Sequence, residues 1–208
     1  MKNILCFGDS NTHGSNPSGG RWDIGERWTS VLQNMLGDEY RIIEEGCPCR
    51  TSLFTDDLEA SDVGKNSLPV ALLSHKPLDL VIIMLGTNDM KHRFALLPED
   101  IAIGSAKLAQ IALKFDYGTS PAPKVLVISP IEIGEGIEFG INTGFTENAV
   151  EVSRKVAPYY KKYAEMFGAY YMNAADFAKP SKIDMLHMDK EDHAKLAKGI
   201  YDKILEIL

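Results

Sequence analysis

The chain has 208 residues, 45% hydrophobic and 25% charged, which is ordinary for a globular protein and excludes a disordered one. Its formal net charge of -7 at pH 7 excludes a duplex-binding protein, which would need a basic face to neutralise phosphates. The stretch before Gly8 is too short for a signal-peptide core, and no segment is long and apolar enough to span a membrane, so a cytoplasmic protein is expected.

The first element expected is a strand over residues 3–7, which runs directly into Gly8-Asp9-Ser10-Asn11-Thr12-His13-Gly14. A glycine-flanked turn after a buried strand presents the next side chain at the carboxyl edge of a sheet, where open α/β sheets bind ligands. A serine hydroxyl there becomes a nucleophile only if a base can take its proton. Helical spacing follows over residues 27–36, then a strand over 41–45 that ends at Gly46. Cys47-Pro48-Cys49 has the wrong spacing for a redox CxxC or a zinc ribbon, and with Cys6 it reads as three free thiols in a reducing compartment.

A short helix is expected near residues 68–73, then a strand over 80–85. The run Leu80-Val81-Ile82-Ile83-Met84-Leu85 has no polar alternation, the pattern of a parallel strand covered on both faces. It ends at Gly86-Thr87-Asn88-Asp89. A helix over 98–115 has Pro98 in its first turn, and a strand over 124–129 follows. The connection 130–144, rich in glycine and carrying Ile131 and Ile133, is expected to border a binding pocket. Helical periodicity resumes over 146–167, where Pro158 should kink or split the helix. A weaker strand over 169–172 and a helix over 191–208, capped by Asp189, complete the chain. Strands alternating with helices imply right-handed crossovers, a three-layer α/β/α sandwich with a five-stranded parallel sheet, and one domain spanning 1–208.

An acyl-transfer site needs a nucleophile, a base, a group that orients the base, and donors for the oxyanion. Ser10 is the nucleophile candidate. His187 is the base candidate, because Asp184, three residues earlier, can reach its Nδ1 and leave Nε2 for Ser10. The competing pair Asp189/His193 reads as a solvated i,i+4 contact on the last helix. His13 reads as a pocket wall, and His75 and His92 as surface residues. Gly46 can bring a backbone N–H close to a substrate, and Asn88 can offer a side-chain N–H.

Taken together and in this order, Gly8-Asp9-Ser10, Gly46, Gly86-Thr87-Asn88-Asp89 and Asp184-Met185-Leu186-His187 resemble the four sequence blocks of the SGNH (GDSL) hydrolases. More narrowly, Arg27-Trp28-Thr29, Ile43-Glu44-Glu45-Gly46 and the run from Leu78 to Asp89 are similar to the mycobacterial arylesterase/acyltransferase branch. The resemblance implies a flavodoxin-like strand order 2-1-3-4-5, a triad of Ser10, Asp184 and His187, and an oxyanion hole from the Ser10 N–H, the Gly46 N–H and the Asn88 side chain. It implies hydrolysis of short-chain carboxylic esters through an acyl-Ser10 intermediate, with small aryl or alkyl acetates or, alternatively, carbohydrate O-acetyl groups as substrates, acyl transfer to alcohols, and a homo-oligomer. No metal or cofactor is called for, and the partner is a small ester rather than nucleic acid or membrane. Asn11 and His13 stand where that branch is usually apolar and aromatic, which makes them candidate substrate-binding residues beside Ile131 and Ile133. Met185 stands where the block commonly has glycine. Two other classes compete: a flavin-binding domain of the same sheet order, which Asp9 would disfavour by repelling phosphate, and a silent carbohydrate-binding module, which would not require the triad.

Overall fold

A computed structural model describes residues 1–59 and 62–208. The sheet has five parallel strands: β1 (Lys2–Gly8), β2 (Tyr40–Gly46), β3 (Leu80–Met84), β4 (Lys124–Ser129) and β5 (Tyr170–Asn173), in the spatial order β2-β1-β3-β4-β5. That is the expected order. The two neighbours of β1, the edge strand β2 and the inner strand β3, are in register at the site end, where Gly8 pairs with Gly46 on one side and with Met84 on the other.

Among the described residues, seven α-helices accompany the sheet: α1 (Ser10–His13), α2 (Trp28–Leu36), α3 (Gly64–His75), α4 (Pro98–Lys114), α5 (Glu147–Lys155), α6 (Ala157–Met166) and α7 (Lys190–Ile207). Alternate strand residues face opposite layers. Leu5, Phe7, Val81, Ile83, Val125 and Val127 pack under α3–α6, whereas Ile4, Cys6, Leu80, Ile82, Leu126 and Ile128 pack under α2 and α7. Both faces of β3 are therefore covered, which is why its sequence carries no alternation. Each such side chain contributes roughly 1.5–3 kcal/mol by leaving water.

Local punctuation explains the boundaries. Pro98 opens α4, and the Asp100 carboxylate accepts the Leu97 N–H at 3.3 Å. The expected helix over 146–167 is two helices, because Pro158 sits in the first turn of α6, where its missing N–H costs nothing. Helix α3 is twice as long as expected and accommodates Pro69 internally. Asp189 does occupy the N-cap of α7, although its side chain makes no capping bond. Among the described residues, no helix is long and apolar enough to cross a membrane.

Candidate active site

The site lies at the carboxyl ends of β1, β2 and β3. Strand β1 ends at Gly8, where an added Cβ would lie 2.1 Å from Thr12 Oγ1 and 2.8 Å from the Met84 carbonyl. Only glycine lets α1 fold back this tightly on the sheet. Asp9 caps α1, its Oδ1 accepting the Asn11 N–H at 3.0 Å, and so presents Ser10 at the helix start. Burial pushes the Asp9 carboxyl above the ordinary range.

Ser10 and His187 meet across 177 residues of sequence, with Oγ and Nε2 at 2.9 Å. On the other side of the ring, His187 Nδ1 lies 2.5 Å from Asp184 Oδ2. The second carboxylate oxygen accepts the backbone N–H groups of Leu186 at 3.0 Å and His187 at 2.9 Å. Burial alone would raise the Asp184 carboxyl, but hydrogen bonding and charge from His187, with the two backbone donors, outweigh it and hold it below the usual range. An ionised Asp184 fixes Nδ1 as the protonated nitrogen and leaves Nε2 free to accept from Ser10. The turn relies on Met185 at φ 59°, the left-handed conformation expected of a glycine, and the Gly134 N–H donates to its carbonyl at 2.8 Å.

Asn88, just beyond β3, donates one Nδ2 hydrogen to the Arg50 carbonyl at 3.1 Å, which orients the amide and leaves its other hydrogen unengaged among the described residues. Arg50 is itself buried, donates to the Gly8 carbonyl at 2.8 Å, and lies over the Phe7 ring at 4.0 Å. Asp89 accepts the Ser52 N–H at 3.1 Å and the Ser52 hydroxyl at 2.5 Å, while burial pushes its carboxyl up to about 6. These bonds tie the segment after β2 to the segment after β3.

Ser10, Asn88 and His187 line one cavity of about 230 Å³. A larger cavity of about 440 Å³, between α2 and β2, contains none of them. The smaller one is the chemically equipped one. Its wall includes Cys49, Glu59 and Lys91, none of which the sequence pattern singled out. Lys91, only 2% exposed, pairs with Glu59 at 2.6 Å and Asp56 at 3.5 Å, and Arg93 pairs with the same two carboxylates. Burial would raise Glu59, yet its hydrogen bonds from Lys91, Cys49 and Arg93 hold it below the usual range.

Several expected residues fall elsewhere. Gly46 does not line the cavity; an added Cβ there would lie 2.1 Å from the His13 nitrogen, so the glycine serves close packing of α1 against β2. Cys49, at φ 61°, does line the cavity, and its N–H makes no hydrogen bond among the described residues. Ile131 and Ile133 are buried in the two cores and not in the cavity. The end of the 130–144 connection does border it, through Ile141, Asn142 and Thr143. His13 does not line the cavity but bonds Ser15, which does, at 3.3 Å, and buried Asn11 bonds the backbone around His187. His193 is not solvated: it is fully buried, its Nδ1 accepts the Trp28 N–H at 3.3 Å, and burial pushes it down to about 4.

The sequence pattern of the GDSL-like Lipase/Acylhydrolase family matches residues 6–196. Among solved structures, Est24, a carbohydrate acetylesterase from Sinorhizobium meliloti, is 37% identical with a TM-score of 0.93 over 100% of both chains. The native aryl esterase of M. smegmatis is 33% identical with a TM-score of 0.92, again over 100% of both chains. A carbohydrate acetylesterase family member from Sinorhizobium meliloti is 32% identical with a TM-score of 0.92, over 100% of this chain and 99% of that one. No curated protein matches the chain.

Proposed function

The chain belongs to the GDSL-like lipase/acylhydrolase family and is a carboxylic ester hydrolase; from that premise we propose that it cleaves short-chain esters through an acyl-Ser10 intermediate. His187 Nε2 takes the Ser10 proton as the hydroxyl attacks the ester carbonyl, and returns it to the departing alcohol. Asp184 stabilises the imidazolium formed between those steps. Water then enters and gives a proton to His187 as it attacks the acyl carbonyl, and His187 returns that proton to Ser10 Oγ as the acid leaves. In this mechanism the oxyanion is held by the Ser10 N–H and the free hydrogen of Asn88, with a third donor from the segment after β2; we assign that donor to Cys49 rather than Gly46, because Cys49 borders the cavity and its N–H is unengaged among the described residues. No metal or organic cofactor enters these steps.

The observation that carries this reading is the unbroken hydrogen-bond chain from Asp184 through His187 to Ser10 at the edge of a cavity. A cavity of about 230 Å³ with a paired-ion wall suits an acetyl or similarly small acyl group on a compact alcohol, aryl or carbohydrate, better than a long chain. Ile141, Phe145 and Leu186 border the same space and offer an alcohol apolar surface to bind against, which supports acyl transfer to an alcohol as a second outcome. The free thiols at Cys6, Cys47 and Cys49 favour a reducing, cytoplasmic setting, and the family resemblance favours a homo-oligomer. A panel of nitrophenyl esters graded by chain length, beside acetylated oligosaccharides, tests the substrate class. Activity should fall steeply beyond short acyl chains, and a preference for long chains would overturn the reading.

A further inference from the structure

The side chain of Asn11, next to Ser10, reaches the backbone on both sides of His187. Its Nδ2 donates to the Leu186 carbonyl at 3.3 Å, and its Oδ1 accepts the Met188 N–H at 3.2 Å. Asn11 is 3% exposed, so both bonds are made away from water, where an unmet amide would be costly. Each end of this bridge is anchored. The Asn11 N–H is held by Asp9 Oδ1, and the Thr12 and His13 N–H groups by the Asp9 carbonyl. On the other side, the His187 carbonyl accepts the Ser181 N–H at 2.7 Å and Asp184 closes the turn through Leu186 and His187.

Among the described residues, α1 and residues 186–188 are joined by three hydrogen bonds: the two from Asn11 and that between Ser10 and His187. The last of these cannot hold the two parts together during reaction, because its proton moves and its oxygen becomes bonded to the acyl carbon. We propose that Asn11 is a positioning residue which keeps His187 in place over Ser10 while that bond is broken and remade. The inference rests on the roles given above to Ser10 and His187.

The test uses two variants of the full chain, with nitrophenyl acetate as substrate and urea unfolding as the control for folding. Asn11→Leu preserves approximate volume but leaves the Leu186 carbonyl and Met188 N–H unpaired. It should lower kcat about tenfold or more while KM moves less than about threefold, since small misplacements of a reacting pair cost up to about 100-fold. Asn11→Asp keeps the acceptor for Met188, but an ionised carboxylate cannot donate to the Leu186 carbonyl. The introduced carboxyl would lie near Asp9, which caps the same helix, and against the Leu186–Met188 backbone that Asp184 closes; these two carboxylates favour its protonation, and His187 opposes it. Once protonated it can donate again, so its kcat deficit relative to wild type should narrow as pH falls, whereas the Asn11→Leu deficit should stay constant. A folded Asn11→Leu protein with wild-type kcat, a loss confined to KM, or an Asn11→Asp deficit independent of pH would each overturn the proposal. If Asn11→Leu does not fold, the pH dependence of Asn11→Asp decides alone. Ester hydrolysis surviving Ser10→Ala would sink the underlying reading instead, whatever the Asn11 variants do.

Discussion

Replacing His193 by asparagine removes a proton-binding site that the fold keeps empty. His193 Nδ1 accepts the backbone N–H of Trp28 in the first turn of α2, so it can do so only as a neutral imidazole. Burial lowers its pKa from 6.5 to about 4. Between those values the unfolded chain binds a proton that the folded chain refuses, so stability falls as pH drops through the window. The fall from 6.5 to about 4, at about 1.4 kcal/mol per pH unit, corresponds to roughly 3.5 kcal/mol in full, about 3 kcal/mol of it lost between pH 7 and pH 4. Asp89 works in the opposite sense: its raised value of about 6 makes the folded chain hold a proton that the unfolded chain releases above 3.8. The wild-type slope is therefore partly cancelled, and the informative quantity is the difference between proteins. Asparagine retains an acceptor for Trp28 without titrating. Urea unfolding at pH 4, 5, 6 and 7 should show wild type losing about 3 kcal/mol relative to His193→Asn across that range. Parallel stability curves would refute the buried, neutral assignment. Turnover at pH 7 should stay near wild type, because His193 does not line the cavity.

Asn88→Ala should reduce kcat by about two to three orders of magnitude with little change in KM, the pattern of a lost oxyanion donor, as read from nitrophenyl acetate kinetics. Lys91→Met should destabilise the protein by roughly 1–3 kcal/mol in urea, since Asp56 and Glu59 lose a buried donor while Arg93 still pairs with both. Deleting part of the 141–143 segment should change acyl-chain preference while Ser10 still reacts with a phosphonate; unchanged selectivity in a folded variant would remove the segment from the site.

The parallel sheet was legible because β1, β3 and β4 are continuous apolar runs, which a sheet buried on both faces demands, whereas its strand order came only from the resemblance to the SGNH hydrolases. Ser10, Asn88, Asp184 and His187 were legible because each follows a strand or precedes a helix at a recognisable spacing, and the structure brings Ser10, Asn88 and His187 to one cavity with Asp184 behind the base. Cys49, Glu59 and Lys91 were not, because they come from segments without periodicity whose placement depends on long-range ion pairs. The burial of His193 carried a signal that its acidic neighbours obscured. It shares one helical stripe with Leu196, Ala197, Ile200, Ile204 and Ile207, all buried against the sheet. Ile131 and Ile133 suggested a pocket lining for the opposite reason: their apolar character was equally suited to the core, which they occupy. Asn11 and His13, placed in the pocket by proximity to Ser10, turn to the backbone at residues 186–188 and to Ser15.

The central claim is that Ser10 carries the acyl group and His187 activates it. The most direct measurement is mass spectrometry of peptides from protein quenched during turnover of nitrophenyl acetate, repeated with Ser10→Ala and His187→Ala. One acetyl group should appear on the peptide containing Ser10 in the wild type, and neither acetylation nor appreciable turnover in the two variants. Hydrolysis that persists in Ser10→Ala, or a turnover-competent acetyl group on another residue, would contradict it.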